Sequence, residues 1–207
     1  MTIIQRVSPL GRYAFGSIID TTTNMNEKTE WLLWLELDMK DSEELMKLVT
    51  EQITLGYDEF GKQWPDQLKL NVPYKQATMP DPEGGSDRVP NPDAMIWIFK
   101  RKGVYFDKKA RIEKPKTPPQ VIDSEGIPVK MDERPPVGYG TTLKALFHAD
   151  HYFYKGQSGV AFRLNGFQIA HLKQSGTDVA GNLAPISGGW KQHESDVDLS
   201  ALVGAAD

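Results

Sequence analysis

Trp97, Phe99, Tyr105 and Phe106 interleave with Lys100, Arg101, Lys102, Lys108 and Lys109. Exposed aromatic rings offer faces on which unpaired bases stack, at roughly 1–3 kcal/mol per base. Cations along the same track attract phosphates and release their condensed counterions. Both are needed to grip a single strand without reading its sequence. The stretch 100–116 holds eight bases (the five above plus Arg111, Lys114 and Lys116) against Asp107 and Glu113, a local charge of +6. A second set follows in Tyr139, Lys144, Tyr152, Phe153, Tyr154, Lys155 and Arg163. The candidate binding residues are therefore Trp97, Lys100, Arg101, Lys102, Tyr105, Phe106, Lys108, Lys109, Arg111, Tyr139, Lys144, Tyr152, Tyr154, Lys155 and Arg163. Strand aromatics usually belong to a core, so only part of this set is expected to face solvent.

Other chemistries find little support. There is no GxxxxGK[ST], no GxGxxG after a strand, no GxSxG elbow and no HExxH. His148 and His151 flank Asp150, but strand residues three apart point to opposite faces, so joint metal ligation needs a turn there. No pair of carboxylates in an apolar setting stands out as acid and base. No enzyme activity, metal or cofactor is expected. The chain has no Cys, which excludes disulfides and thiolate sites. It shows no signal-like N-terminus and no run approaching the ~20 apolar residues of a membrane span. A soluble, cytoplasmic protein without a membrane partner is expected.

The net charge of −4 is unevenly placed. After Gln192 the chain carries Glu194, Asp196, Asp198 and Asp207 and no Lys or Arg, while residues 1–192 balance at 24 acids and 24 bases. A neutral body thus precedes an acidic tail, which is expected to be disordered, to compete for a basic groove or to recruit partner proteins.

These side chains must be positioned mainly by strands. The longest strand-like run is Val137–Leu172, a predicted hairpin about the turn at 155–159. Leu143, Ala145 and Phe147 alternate with Lys144, Leu146 and His148. Val160, Phe162 and Leu164 alternate next, and at Asn165-Gly166 the phase slips to Phe167 and Ile169. A bulge is favoured over a second hairpin, which would leave only about five residues on each side. Arg12–Asp20 reads as a strand with Tyr13, Phe15, Ser17 and Ile19 on one face. Glu30–Met39 is another, with Trp31, Leu33, Leu35 and Leu37 inward and Leu32 and Trp34 on a second, partly covered face. Asp41–Leu55 is the one helix. Asp41 or Ser42 would cap it, Leu45, Leu48, Val49 and Ile53 form its stripe, and Gly56 would end it, so that it plugs an open end of the sheet. Residues 57–93 read as loop, with 79–93 too rich in Pro for a regular element. Ala94–Lys102 is a strand, continued by Val104–Ile112 across Gly103. Lys114–Arg134 is Pro-rich, with a turn at 123–126. The fold class predicted is mainly β: an OB-fold-like antiparallel Greek-key barrel with long loops and one prominent helix. The division predicted is a domain over 1–177 and a linker with acidic tail over 178–207. The alternative is a β-sandwich structural or interaction module without nucleic-acid affinity.

Several short motifs, in order, resemble one family. They are Gly11-Arg12, then Pro118-Pro-Gln-Val-Ile-Asp123-Ser-Glu-Gly126-Ile-Pro128, then Gly138-Tyr-Gly140, then Gly159-Val-Ala-Phe-Arg-Leu-Asn165-Gly-Phe-Gln168. This series resembles bacteriophage-encoded single-stranded DNA-binding proteins of the OB-fold type, over about Gly11–Leu172. The resemblance implies a five-stranded barrel that coats single-stranded DNA during phage replication and recombination, without strong sequence preference, in the host cytoplasm. It also implies an acidic tail that meets replication or recombination proteins. The tail departs from the family in lacking a terminal aromatic: it ends Gly204-Ala-Ala-Asp207.

Overall fold

A computed structural model describes residues 4–23, 29–65 and 68–173. The linker and the tail acids Glu194, Asp196, Asp198 and Asp207 lie outside the described residues, all of which belong to one compact unit. The strands are β1 (Arg6–Val7), β2 (Gly11–Thr23) and β3 (Thr29–Asp38), followed by helix α1 (Met39–Phe60). After it come β4 (Leu70–Asn71), β5 (Tyr74–Pro80), β6 (Arg88–Lys102), β7 (Val104–Asp107), β8 (Ile112–Pro115) and β9 (Gln120–Ile122). The last two are β10 (Thr142–Tyr154) and β11 (Gln157–His171).

Five strands carry the architecture. β2, β3 and β6 form an antiparallel meander, and β10 returns beside β2, which is a Greek key. β11 pairs with β10 along its length and meets β6 in parallel at Phe162–Phe99 and Arg163–Lys100. The pairings thus run round a ring, as in an OB fold, but two seams are only two residue pairs wide, β10–β2 and β11–β6. The barrel is partly open. Where β6 and β11 diverge, the β4–β5 segment fills the gap. β4 follows β11 in parallel, Pro73 O accepts from Ile98 N at 2.8 Å, and β5 returns along β6. The sheet is antiparallel apart from the short pairings of β11 with β4, β6 and β9. It is one wrapped sheet and not the alternative sandwich of two packed sheets.

Alternation decides the core. Leu33, Leu35 and Leu37 of β3, Trp97 and Phe99 of β6, Phe147 of β10, and Phe162 and Leu164 of β11 are all buried inside the ring. Phe162 sits at the centre of an aromatic cluster, with ring centroids 5.6 Å from Trp97, 5.5 Å from Phe99 and 4.6 Å from Phe147. Leu45, Leu48 and Val49 of α1 join this core, and the helix packs on β3, β6, β10 and β11. The predicted bulge is present. Leu146 opposes Gly166 and Phe147 opposes Leu164, so Asn165 is the extra residue and Phe167 turns inward after it. Gly166 is required there because a Cβ would lie 2.7 Å from Gln120 O of β9. The hairpin itself turns on two residues, Lys155 (φ 51°) and Gly156 (φ 74°), both in the left-handed region that a tight hairpin needs.

Four expectations are corrected. The helix starts at Met39 and runs through Gly56 to Phe60, because Gly56 packs against His151, whose Cβ a side chain there would meet at 3.3 Å. Ser42 is no cap: it lies buried in the first turn and accepts a hydrogen bond from Trp97 Nε1 at 2.9 Å. Residues 79–93 are mostly strand. Thr78, Met79 and Pro80 pair with Pro90, Val89 and Arg88, which places the prolines at an edge where no ladder donor is lost. Beyond Gly103 the chain does not continue β6 but folds back as the β7–β8 hairpin, a separate two-stranded sheet. Among the described residues no helix is long and apolar enough to cross a membrane.

Phe162→Ala removes the ring on which the aromatic cluster closes. A loss of about 3–5 kcal/mol in unfolding free energy is expected, read as a lower urea midpoint at unchanged slope.

Candidate nucleic-acid interface

The alternation that buries Trp97 and Phe99 turns Ile96, Ile98, Lys100 and Lys102 of β6 outward. Registers extend the first three of these into rows across the outer face. Arg12, Glu36, Ile96 and Lys75 lie in one row, and Phe15, Trp34 and Ile98 in the next. Leu32, Lys100, Arg163 and His148 form the third. Successive rows are two residues apart along β6, roughly 6–7 Å.

The third row opens into a basic cleft of ≈ 210 Å³ lined by Lys100, Arg101, Lys102, Lys116, His148, Arg163 and Asn165. It joins the two sequence segments singled out above. Arg101 donates through Nε to Thr117 O at 2.9 Å, and through Nη1 to Leu164 O and Asn165 Oδ1 at 3.4 Å. Arg163 donates twice to Asp150 Oδ2, at 3.2 and 3.0 Å. Lys100 Nζ lies 3.6 Å from Glu30. Burial lowers the Lys116 pKa, and the neighbouring charges of Arg101, Lys102 and Arg163 lower it further. Burial also lowers His148, with Arg163 and Arg101 acting the same way against the opposing pull of Asp150. The cleft is therefore a region of concentrated positive potential, offset in part by Glu30 and Asp150.

The first two rows frame a second cleft of ≈ 340 Å³, which includes Phe15, Trp34, Lys75, Arg88 and Tyr139. Phe15 and Tyr139 are 57% and 64% exposed, so their faces are available to a ligand. Phe15 and Trp34 have centroids 4.9 Å apart, and Lys75 Nζ sits 3.5 Å from the Trp34 centroid. Arg12, ion-paired with Glu36, approaches the Tyr139 ring at 5.9 Å. The floor is a small apolar cluster of Ala77, Ala94 and Ile96 with Trp34 and Ile98 packed on it.

The predicted residues separate accordingly. Lys100, Arg101, Lys102 and Arg163 come together in the basic cleft, and Tyr139 lines the aromatic one. Tyr105, Phe106, Lys108, Lys109 and Arg111 are exposed on the β7–β8 hairpin. Its turn is tied by Asp107, which accepts from Lys109 N and Ala110 N and pairs with Lys114 at 2.7 Å. Those bonds, the lysine's first, hold the Asp107 carboxyl below its usual range. Tyr152 and Tyr154 lie on the outer face of the β10–β11 hairpin, with Lys155 Nζ 5.3 Å from the Tyr154 centroid. Lys144 is exposed on β10 but lines neither cleft. Trp97 is a correction: at 0% exposure inside the ring, with its N–H taken by Ser42, it has no face for a base. Phe99 is equally buried, and Phe153 faces Phe60 of α1. His148 and His151 part company as strand geometry requires. His151 meets Glu59 and Gln52 of α1 at 2.9 and 3.2 Å, while His148 enters the basic cleft.

Phe15, Trp34, Lys75 and Arg88 were not among the predicted residues. A register shift between Tyr13 and Phe15 turns Phe15 outward, and only a bulge could announce it. Lys75 and Arg88 fall in the stretch read as loop. Trp34 did carry a signal, an aromatic sharing a strand face with Glu36 and Asp38.

No protein-family model and no curated protein matches the sequence. Solved structures do. Gp2.5, a single-stranded DNA-binding protein encoded by bacteriophage T7, superposes with a TM-score of 0.61 at 18% identity, covering 92% of this chain and 99% of that one. The single-stranded DNA-binding protein from bacteriophage Enc34 gives 0.53 at 12%, covering 87% of each chain. Its complex with ssDNA gives 0.55 at 11%, covering 82% and 88%. At these identities the likeness is one of fold. The fold is the OB-like one of phage single-stranded DNA-binding proteins, the family that the order of motifs resembles.

Trp97→Phe leaves Ser42 Oγ without its buried donor. A loss of roughly 1–3 kcal/mol is expected in urea unfolding, with the outer clefts unchanged.

Proposed function

We propose that this chain binds and coats single-stranded DNA without strong sequence preference, in phage DNA replication and recombination. The observation that carries this reading is the continuity of the outer face along β6. Ile96 lines the aromatic cleft and Lys100 and Lys102 line the basic one, on a single strand. A DNA strand laid across these rows stacks bases on Phe15, Trp34 and Tyr139 and passes its phosphates to Lys75, Lys100, Lys102, Lys116 and Arg163. Stacking is tolerant of sequence because every base has a π-face. Duplex bases are already stacked on each other, so these rings favour unpaired strands. The β7–β8 hairpin, with Tyr105, Phe106, Lys108, Lys109 and Arg111, leaves β6 beside Lys102. Tyr152, Tyr154 and Lys155 extend the opposite rim. The protein complexed with ssDNA that shares this fold supports the same partner here.

The reading needs no catalyst, metal or membrane. Asp150 is engaged by Arg163 and His151 by Glu59. Glu194, Asp196, Asp198 and Asp207 compete with DNA for the basic cleft or recruit replication or recombination proteins, acting in the host cytoplasm.

Titration of intrinsic fluorescence with oligo-dT is expected to show tight binding at low salt, with log K falling linearly in log salt. Absence of binding at low salt, or of salt dependence, sinks the proposal. Phe15→Ala, at an exposed ring, is expected to weaken binding by roughly 1–3 kcal/mol with little change in thermal midpoint. Removal of residues 193–207 is expected to tighten it.

A pH dependence follows from His148. In the free protein its pKa lies below 6.5. A phosphate in the cleft favours the imidazolium and raises that pKa, so the complex takes up a proton. Affinity is then expected to rise as pH falls through the raised pKa of the complex and to level off below that of the free protein, and to do so less in His148→Ala.

A further inference from the structure

In the aromatic cleft the face of Trp34 is already taken. Lys75 Nζ stands 3.5 Å from the ring centroid, roughly the 3.4 Å that separates stacked bases. The rest of the indole is engaged as well. It packs on the Ala77, Ala94 and Ile96 cluster, its Nε1 is buried, and Phe15 leans against it at 57°. A base that stacks on this ring needs the space that the ammonium fills.

Register puts the two side chains there. Trp34 lies opposite Ile98 and Lys75 opposite Ile96, so both stand on the outer face, one row apart along β6. The β5 backbone is held at this point, since Gln76 Nε2 donates to Ala94 O at 3.2 Å beside the Lys75–Ile96 pair. The lysine itself is exposed and carries its charge on a flexible four-carbon stem. Among the described residues no carboxylate forms an ion pair with it. Arg12, in the same row, differs in being bound to Glu36. The hold on Lys75 is the Trp34 ring. A cation–π contact at an exposed site is weaker than a base stacked on an aromatic side chain.

We infer that Lys75 is a displaceable cap on Trp34: a base entering the aromatic cleft takes the ammonium's place on the ring, and the freed ammonium takes up the phosphate of that nucleotide. The inference rests on the single-stranded DNA reading above and adds to it a coupling between one stack and one phosphate contact. The displaced ammonium stays tethered beside the base that moved it, so the nearest anion is that nucleotide's own phosphodiester. The exchange has opposing terms. Loss of the cation–π contact lowers the net gain from stacking. The new ion pair offsets that loss only while salt leaves the phosphate unscreened. Lys75 therefore helps binding at low salt and hinders it at high salt, unlike a lysine that only meets phosphate.

The test compares full-length wild type and Lys75→Ala across a salt series, followed by the anisotropy of a labelled oligo-dT, each also in a Trp34→Leu background. The salt slope of Lys75→Ala is expected to fall by about 0.7, the signature of one lost contact to a single strand. The uncapped ring returns about two- to fivefold in affinity, the equivalent of a cation–π contact at an exposed site. The two lines of log K against log salt then cross at about 0.1–0.4 M. Lys75→Ala binds more weakly than wild type below the crossing and more tightly above it. With Trp34→Leu as parent the crossing is expected to vanish, and Lys75→Ala then binds more weakly at every salt up to about 1 M. Thermal midpoints serve as the folding control, and the crossing in the single, exposed Lys75→Ala variant decides the matter by itself if Trp34→Leu does not fold. Lys75→Ala weaker than wild type throughout the series makes Lys75 a plain phosphate contact and overturns the cap while leaving the DNA reading intact. An unchanged slope, or a crossing that persists in Trp34→Leu, overturns it too. If wild type itself does not bind oligo-dT, the DNA reading fails and the cap falls with it.

Discussion

Two residue pairs, Phe99–Phe162 and Lys100–Arg163, join β6 to β11, and much of the molecule depends on that narrow parallel seam. Successive strand residues point to opposite faces. One register therefore does two things at once. It brings the Phe99 and Phe162 rings to 5.5 Å inside the ring of strands, and it sets Lys100 beside Arg163 outside. The inner contact is favourable and the outer one is not. Like charges side by side repel, and among the described residues Glu30 and Asp150 answer them. Core packing thus holds together a cluster of cations that would separate if left to itself. A surface preorganised in that way is suited to a polyanion, because the repulsion is relieved when phosphates arrive.

The remaining devices serve the same ring. The Asn165 bulge bends β11 and lets Gly166 take β9 alongside, while Asn165 itself turns to His148 and Arg101. The insertion of β4 and β5 separates β6 from β11 beyond the seam, which widens the outer face and brings Lys75 and Arg88 onto it. Helix α1 braces the far end of the hairpin through Gln52, Glu59 and Phe60 around His151 and Phe153. That bracing keeps the long β10–β11 ribbon from moving independently of the ring. Of the two histidines that flank Asp150, His151 is a strut and His148 a wall of the basic cleft.

How far the residues announced their places varied with how local the cause was. Trp31, Leu33, Leu35 and Leu37 sit inward as their spacing requires, and the slip at Asn165 is the bulge that its phase shift announced. Trp97 went the other way. Its neighbours Lys100–Lys102 marked it as a stacking residue, yet parity with Phe99 puts it in the core, and a hydrogen bond to Ser42 across 55 residues secures it. Phe15 failed for the opposite reason: a shift in register at Ala14 exposes a ring that simple alternation would have placed beside Tyr13. The prolines between Met79 and Asp93 hid a hairpin, because proline excludes a central strand but is tolerated at an edge, and edges are defined only by neighbours.

By itself the chain determined the five strands of the ring, where the main helix lies, the excess of cations over 100–116 and the order of motifs that resembles phage single-stranded DNA-binding proteins. These follow from periodicity, composition and turn chemistry, which act over a few residues. Tertiary structure alone decided which aromatics face solvent and that Phe15, Trp34, Lys75, Arg88 and Tyr139 share one cleft. The physical reason is that a side chain's face depends on register, and register is set between strands that lie far apart in the chain.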